Sequence, residues 1–431
     1  MVKTSAVNSL LYEISSVPFS VVMPNGSSPM SCHNKDPKIV HRKEIDIFRE
    51  RVRDLLKKYP AYNTDYTLVR WLHGYKFDYA SLLWHAGFPT VGIWFVSAFG
   101  LAIFCLREMA AQKMEWALNT MNAVGVFDMD LSSVDAVQKA VRSITPIAEY
   151  FPGGVIGYDK NGNIINMHTM GQIRIRSLVD AERASKFFIG AIVDCEGAAH
   201  LMRLFNFILI RPVHPQAEEA RRGKKLGGIL IVDLSGFSYD VLFPDTAIKL
   251  YIVNAPLVVN ALLKMVLMAL SKDTVEKVEI LGSDWKEILT ERHGAENLPE
   301  SCGGQLNGSV LRTGGEVPET VKESIRKVHY EKDQLTKIRV SAGSEKHITF
   351  KVDKPLSKLH WYFVCSSGDI DFSITYKNRE VWPCFRISTE FVPEFGEITC
   401  DEAGEYEVRF SNEHAMLWSK EIHYRIQIEP L

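Results

Sequence analysis

The stretch from Leu257 to Leu270 is the part of the sequence whose residue types and spacing best indicate a chemical task. Only Asn260 and Lys264 are polar in it, and because they stand four residues apart they share one narrow stripe of a helix. Pro256 suits the first turn of that helix, where its missing N–H is not needed. A helix that packs on one side of a core normally has a wide polar face. The sequence therefore predicts a helix that is either wholly buried or turned toward an apolar ligand or a membrane.

Recognised catalytic motifs are missing from the sequence. It has no nucleophile elbow Gly-x-Ser-x-Gly, no Walker loop, no His-Glu-x-x-His and no dinucleotide-binding fingerprint. The 13 histidines are spread without the spacing of metal ligands. We therefore expect a binding protein that is not an enzyme and that needs no metal or cofactor besides a bound ligand.

Length and composition are those of an ordinary globular protein with two or three domains. The 431 residues include 46% hydrophobic and 24% charged residues, and a net charge of −2 gives no reason to expect a nucleic-acid partner. The seven cysteines are odd in number and form no Cys-x-x-Cys pair, which favours a reducing compartment. Residues 1–40 lack the long apolar run of a signal peptide. We expect a disordered leader and a cytoplasmic protein.

Short apolar runs on both sides of the Leu257–Leu270 stretch predict a mixed sheet in an α/β domain that spans residues 130–311. The Asn161-Gly162 pair suits a tight turn between two strands, and Gly228–Val232 is apolar throughout, as in a strand covered on both faces. The predicted strands are 155–158, 163–168, 228–233, 250–253 and 278–282, and the predicted helices are 135–150, 180–196 and 285–292, the last with Asp284 as its N-cap.

The remaining segments predict a helical module at residues 41–125 and an all-β domain at residues 336–429. Helices are expected at 43–59 and 64–74, from apolar residues at helical spacing. A charged linker, residues 312–335, has a predicted helix around 319–332. Alternating apolar residues after it predict seven or eight strands in a β-sandwich. We expect the sandwich and the α/β domain to have separate cores.

The order of elements around the apolar helix resembles the CRAL-TRIO lipid-transfer family, which is Sec-fourteen-like. The resemblance lies in Asn254-Ala255-Pro256, the helix, a strand ending at Gly282, a second helix, and Leu298-Pro299-x-x-x-Gly303-Gly304. It implies one lipid in an apolar pocket closed by a gate helix. The candidate pocket walls, equally consistent with an ordinary core, are Phe187, Ile192, Leu230 and Val232. The candidate gate residues are Leu257, Val259, Leu262, Leu263, Val266 and Leu267, with Lys264 as the headgroup or membrane contact.

The C-terminal region resembles a GOLD domain. The residues that carry this are Trp361-Tyr362-Phe363 and Gly404-x-Tyr406-x-x-Arg409-Phe410-x-Asn412. A helical module, a CRAL-TRIO domain and a GOLD sandwich in this order resemble the supernatant protein factor-like group. The resemblance implies a lipid-transfer protein coupled to membrane trafficking or lipid metabolism, with transient membrane contact and a possible protein partner for GOLD. The alternatives are a Golgi or endosomal trafficking adaptor with lipid as cofactor, or a membrane-anchored protein.

The sequence departs from the family pattern in two places. Between Ser238 and the next strand only Tyr239–Pro244 intervenes, where family members have a long helix. Leu267 stands where phosphatidylinositol-transferring members have a lysine late in the gate helix. The resemblance therefore does not extend to phosphatidylinositol specificity, and the ligand could be a phospholipid, tocopherol, squalene or a retinoid.

An uncharged segment interrupts the helical module. Ala86–Leu106 is long and apolar enough for a membrane span, whereas joining Tyr79 to Arg107 gives the third helix that the family leads us to expect. Residues 80–106 could be a translated intron, a real membrane anchor or an extra buried helix. We favour the first interpretation, because a spanning helix would separate parts of one small bundle across a bilayer.

Overall fold

The structure is a computed structural model, and it describes residues 42–76, 95–169, 172–204, 225–233, 247–255, 272–307, 311–325 and 328–430. Within these ranges the helices are α1 Arg42–Arg51, α2 Arg53–Lys58, α3 Asp65–Lys76, α4 Phe95–Ala123, α5 Val134–Ile144, α6 Ile175–Val179, α7 Ala184–Leu204, α8 Lys272–Lys277, α9 Trp285–His293 and α10 Glu319–Ile325. The strands are β1 Gly154–Tyr158, β2 Ile164–Thr169, β3 Gly228–Asp233, β4 Ala247–Val253, β5 Val278–Ile280, β6 Thr336–Val340, β7 Glu345–Val352, β8 Ser357–Cys365, β9 Asp369–Tyr376, β10 Arg379–Ser388, β11 Glu394–Cys400, β12 Gly404–Ser411 and β13 Lys420–Glu429.

The predicted sequence of regions is confirmed: a helical N-terminal region, a mixed α/β sheet and a β-rich C-terminal region. The predicted leader, residues 1–40, lies outside the described residues. In the N-terminal region the helix predicted at 43–59 is two helices, because Val52 leaves helical geometry with φ −104° and ψ 19°. The next helix runs two residues past Gly74, to Lys76.

Helix α4 begins earlier than the sequence pattern indicated. It starts at Phe95, so twelve residues of the apolar segment belong to the same continuous helix as Arg107. No proline occurs in Phe95–Ala123 to interrupt the backbone hydrogen bonds. Residues 77–94 lie outside the described ranges, so the three interpretations of the insert stay predictions. Of the helices that the structure describes, none combines the length and apolarity that crossing a bilayer requires.

Helix α5 shows how local sequence sets both ends of a helix. Ser133 caps its first turn, since the Ser133 hydroxyl oxygen accepts a hydrogen bond of 3.1 Å from the Ala136 N–H. Pro146 keeps Thr145 in an extended conformation, φ −159° and ψ 147°, so the helix ends at Ile144 and does not reach Tyr150 as predicted.

Three other helices also differ from prediction. The helix predicted at 180–196 is α7, which begins four residues later and continues to Leu204, and the short helix α6 before it was not predicted. Helix α9 begins after Asp284 as predicted, but the Asp284 side chain makes no capping hydrogen bond. The linker helix α10 ends at Ile325, short of the predicted Lys332.

The α/β region has five strands in the order β1-β2-β3-β4-β5, which is their order along the chain. Strands β1 and β2 form the predicted antiparallel hairpin, and β2 to β5 are parallel. Parallel strands need long crossovers between them, and such strands are usually covered on both faces. This sheet therefore has two apolar faces that other elements or ligands must cover.

The C-terminal region has two antiparallel four-stranded sheets, ordered β10-β9-β12-β7 and β11-β8-β13-β6. Their facing side chains meet in an aromatic centre, where the Phe363 ring lies 4.8 Å from Phe372 and 5.1 Å from Phe410 between centroids. All three side chains are fully buried. Pairs of this geometry add to the stability gained from burial alone.

The expectation of separate cores is wrong. One connected apolar cluster runs from the N-terminal helices through α7 to both sheets of the C-terminal region. At the junction the rings of Phe188 and Phe385 stack, with centroids 5.4 Å apart and planes 10° from parallel. A charged linker in the sequence therefore does not mark two independent cores, because contacts distant in the chain join them.

A polar cluster at the same junction surrounds Glu394. This side chain is fully buried, and its Oε1 accepts a hydrogen bond of 2.7 Å from the Ser185 hydroxyl. Arg183 donates to the backbone oxygen of Phe395, and its guanidinium lies 4.1 Å from the ring of that residue. Burial raises the pKa of the Glu394 carboxyl to about 7, against the opposing effects of Arg183 and Ser185.

We expect the stability of the full chain to depend on pH through Glu394. Its pKa is higher folded than unfolded, so its stabilising contribution is present below the unfolded pKa and is lost as the pH rises through about 7. Glu394→Gln should make the unfolding free energy depend less on pH. At about pH 8 the variant should be more stable than the wild type by up to about 3 kcal/mol, and its melting temperature should be higher. The measurement is thermal unfolding of both proteins from about pH 5 to about pH 8.

The matched control is Glu397→Gln in the same strand. Glu397 is exposed, and it pairs with Lys358 at 2.7 Å on the surface. Its replacement should change stability little at any pH, since exposed ion pairs contribute little. An unchanged pH profile in Glu394→Gln would contradict a protonated carboxyl at the junction.

Candidate ligand-binding site

One face of the five-stranded sheet packs against helix α9 and the segment after it. Alternate residues of β2, β3 and β4 point to this face, because side chains alternate along a strand. Ile231 and Leu289 are fully buried there, and the Cys302 thiol lies 3.4 Å from the Met167 sulfur. This face is an ordinary filled core. Its buried members are Ile156, Ile165, Met167, Ile229, Ile231, Tyr251, Val253, Leu281, Trp285, Leu289, Leu298 and Cys302.

The opposite face carries two apolar rows that run across the strands. The parallel register places Leu230 beside Leu250, and Leu250 beside Val278. It places Val232 beside Ile252 in the same way, and Ile252 beside Ile280. These six side chains belong to one apolar cluster, separate from the filled core behind the sheet. They give a continuous apolar surface across three strands.

Polar side chains of β2 continue both rows at one end. Asn166 is the partner of Leu230, and His168 is the partner of Val232. The Oδ1 atom of Asn166 is buried and accepts no hydrogen bond from the residues that the structure describes. Burial lowers the pKa of His168, which keeps the imidazole neutral at physiological pH. The surface is therefore apolar with one polar, uncharged end, a combination that suits an amphiphilic ligand.

Helix α7 covers the hairpin end of this same face. Val155 of β1 is opposite Asn166 in the antiparallel register, so its side chain points to the same side of the sheet. Val155 and Ile164 belong to the apolar cluster that includes Ile192 and Val193 of α7. The surface over β3 to β5 thus lies beside a helix that is already packed on the sheet.

Two polar residues mark the carboxyl ends of the central strands. Asn254, which follows β4, donates a hydrogen bond of 3.2 Å from its side-chain amide to the Asp233 carboxylate at the end of β3. Asn254 has a left-handed backbone with φ 55°, a conformation that asparagine tolerates better than most residues. The predicted break at Asn254-Ala255-Pro256 is confirmed at its first residue.

A buried ionic network joins helices α5 and α7 to the hairpin. The Arg312 guanidinium lies 3.2 Å from the Asp194 carboxylate and donates to the Gln138 side-chain oxygen at 2.9 Å. It also donates to the backbone oxygen of Phe151 at 2.9 Å. Gln138 in turn donates to the backbone oxygen of Val155 in β1, at 3.0 Å. The network fixes the edge strand relative to the helices.

The predicted site residues fall into four groups. Leu230 and Val232 lie together on the apolar surface, Phe187 packs in a small cluster with Leu178 and Val317, and Ile192 lies in the shared core. Their roles as pocket walls stay predictions. The gate residues and the headgroup contact lie outside the described ranges: Leu257, Val259, Leu262, Leu263, Lys264, Val266 and Leu267.

Sequence reasoning missed most of the surface. Leu250, Ile252, Val278, Ile280 and Asn166 belong to it and were not predicted as site residues. Apolar runs such as Leu250–Val253 show no alternation, because both faces of a parallel strand are apolar. The signal that could have found them is the register, since matching the predicted parallel strands side by side places alternate residues in rows.

A second concave region lies where the N-terminal helices, α7 and the C-terminal sheets meet. It is a cavity of about 510 Å³, and its lining includes Lys58, Lys186, Arg379, Glu380 and Trp382. Basic and acidic side chains are mixed in its wall, and it lies away from the two apolar rows. Its chemistry does not match a lipid tail.

Redox and metal chemistry find little support in the described ranges. Five cysteines there are free: Cys195, Cys302, Cys365, Cys384 and Cys400. Burial raises the pKa of the Cys302 thiol to about 11, which keeps it protonated and unreactive. No cluster of three or more His, Cys, Asp or Glu side chains suited to a metal ion occurs in the part of the chain that the structure describes.

Comparison with known proteins matches this region to a family. Residues 148–304 match the CRAL/TRIO domain. The chain is 37% identical over 180 residues to Sec14 cytosolic factor of Schizosaccharomyces pombe, which covers 37% of this chain and 57% of that protein. It is 28% identical over 202 residues to Protein ctg-1 of Caenorhabditis elegans, covering 42% and 52%. The chain spans about half the length of the curated relatives it matches.

A solved structure of Sfh5 aligns with 52% of this chain and 79% of its own, at 15% sequence identity. The TM-score of that alignment is 0.30.

We expect Arg312→Met to destabilise the protein by roughly 3–5 kcal/mol, because it leaves the Asp194 carboxylate buried without its cation. Arg312→Met combined with Asp194→Asn should recover part of this loss, since the buried charge is then gone. The measurement is chemical denaturation of the single and double variants. Arg174→Met, at an exposed arginine 3.9 Å from Glu316, is the control and should stay within about 0.5 kcal/mol of the wild type. A double variant no more stable than Arg312→Met would contradict the assigned pairing.

Proposed function

We propose, from the match of residues 148–304 to the CRAL/TRIO domain, that the protein binds one lipid molecule and transfers it between membranes. The observation that carries the proposal is the pair of apolar rows across β3, β4 and β5. Acyl chains or an isoprenoid body would lie along these rows. The polar end at Asn166 and His168 would receive an uncharged polar group of the ligand.

The topology supports a pocket on this side of the sheet. Strands β2 to β5 are parallel and follow one another in chain order. Crossovers between parallel strands are right-handed in about 98% of cases, and in such an order they all pass over the same face. Helix α7 belongs to the first crossover and lies on the face of the two rows. We propose that the last crossover supplies the gate, formed by the predicted helix Leu257–Leu270.

The physics of transfer explains why a gate is useful. Moving each CH₂ group of a lipid out of water is favourable by about 0.8 kcal/mol. A lipid in a bilayer is already out of water, so its exchange into an apolar pocket costs little. The expensive state is the lipid in water between the two. A gate that opens only against a membrane avoids that state, and the apolar composition of Leu257–Leu270 suits contact with acyl chains, with Lys264 near lipid phosphate.

The cellular setting of the proposal is the cytoplasm, with the protein peripheral on membranes. Free cysteines in the described ranges favour it. The bound lipid is the expected ligand and no further cofactor is proposed.

A trafficking adaptor is the second candidate function, favoured by the β-rich C-terminal region. Its two four-stranded sheets are compatible with the GOLD domain that the sequence resembles. In that case the sandwich binds a Golgi or endosomal protein and the lipid is a cofactor that stays bound. The two functions differ in one observable, which is whether lipid leaves the protein.

The test compares Ile252→Trp with Ile248→Trp. Ile252 is buried in a row, so an indole there should fill the space of the ligand, whereas Ile248 is 38% exposed in the same strand. We expect Ile252→Trp to lose co-purifying lipid in native mass spectrometry and to transfer fluorescent lipid no faster than buffer. Ile248→Trp should behave as the wild type.

Thermal unfolding must show both variants folded, so that a lost ligand reports the pocket and not the fold. Full lipid load in a folded Ile252→Trp would overturn the assignment of the rows. Bound lipid without vesicle-to-vesicle transfer in the wild type would favour the adaptor.

A further inference from the structure

The loop between β12 and β13 exposes three consecutive large apolar side chains. Met416 is 92% exposed, Leu417 is 81% exposed and Trp418 is 77% exposed. Large apolar side chains exposed singly are common on protein surfaces, but a contiguous group indicates an interaction site. No other group of three adjacent large apolar residues is this exposed in the described part of the chain.

The loop is fastened to the domain beneath it. Asn412 is buried, and its side-chain amide donates to the backbone oxygens of Trp418 at 2.9 Å and Ser341 at 3.3 Å. The Asn412 backbone oxygen accepts from the Ala415 N–H at 3.1 Å, and its N–H donates to the Ser344 oxygen at 2.8 Å. One buried side chain thus holds both ends of the loop and presents its tip outward.

Two cations flank the base of this tip. Arg339 donates to the Ser419 hydroxyl at 2.9 Å, and Lys420 donates to the Ser367 backbone oxygen at 2.9 Å. Neither forms an ion pair with a carboxylate of the described residues. The neighbouring acids do: Glu413 pairs with Arg409 at 3.3 Å, Glu421 with Lys337 at 2.7 Å, and Asp371 with His414 at 3.3 Å. Arg339 and Lys420 are therefore available to an anion at the base of the tip.

The size and shape of the tip distinguish between partners. A stable protein interface buries about 800 Å² on each side, whereas three such side chains offer at most roughly 600 Å². The three side chains are 77% to 92% exposed, which fits a soft medium that closes around them. Tryptophan is enriched at membrane–water interfaces, and cations just above inserted apolar residues meet lipid phosphates.

We propose that Met416, Leu417 and Trp418 insert into the headgroup region of a lipid bilayer, with Arg339 and Lys420 contacting phosphates of the same membrane. Choosing a membrane as the partner rests on the lipid-carrying function proposed above. The loop would dock the protein on the membrane with which it exchanges lipid. It is distinct from the apolar rows of the sheet, so membrane docking and lipid binding involve different residues.

The experiment measures co-sedimentation of the full chain with vesicles of phosphatidylcholine, with and without phosphatidylserine. The variant Met416→Ser/Leu417→Ser/Trp418→Ser should bind at least about tenfold more weakly, because three apolar side chains no longer leave water. The control Leu356→Ser removes a leucine that is 51% exposed in the turn after β7, at the end of that strand away from the docking loop. This variant should bind as the wild type. Arg339→Gln/Lys420→Gln should lose the preference for phosphatidylserine and keep the binding to phosphatidylcholine alone.

The fate of the bound lipid separates this inference from the proposed function. Native mass spectrometry should find the same co-purifying lipid in the triple serine variant and in the wild type. Absence of lipid from both would contradict the carrier function and leave the vesicle result to decide the docking loop. Equal vesicle binding by the triple variant and the wild type would overturn the assignment of the loop as a membrane contact. Wild-type binding no higher than background would also overturn it, and would favour a protein as the partner of the tip.

Discussion

A parallel sheet has two apolar faces, and neither can be left to water. This constraint shapes the central region of the protein. Helix α9 and the segment that follows it cover one face completely, with Ile231 and Leu289 at its centre. The other face has a helix over the hairpin and two rows of aliphatic side chains over the remaining strands. In the proposed function, a lipid molecule would cover part of this second face.

Strand order adds a second consequence. Because β2 to β5 are parallel and follow the chain, right-handed crossovers between them would all pass over one side, and α9, which comes later in the sequence, covers the other. The filled core and the two apolar rows therefore lie on opposite faces of the same strands. Neighbouring residues such as Ile231 and Val232 belong to separate apolar clusters.

The sequence predicted the regions and most strands, because turns, proline and alternating apolar residues act locally. The Asn161-Gly162 turn and the break at Asn254 are examples. It did not predict the start of α4, since an apolar helix and a membrane span have the same composition. Nor did it predict the rows, which depend on register between strands that are distant in the chain. The shared core could not be predicted either, because Phe188 and Phe385 meet only in the folded protein.

The stacking of these two rings also bears on how the protein opens locally. Backbone amides exchange hydrogen with solvent through local openings, and cooperative units open together. A continuous apolar cluster joins the N-terminal helices, α7 and the C-terminal sheets, and the junction includes a buried carboxyl whose pKa is raised to about 7. We therefore expect amides on the two sides of the junction to belong to one exchange unit, so that the slowest opening of the sandwich is also the opening of the helices packed against it.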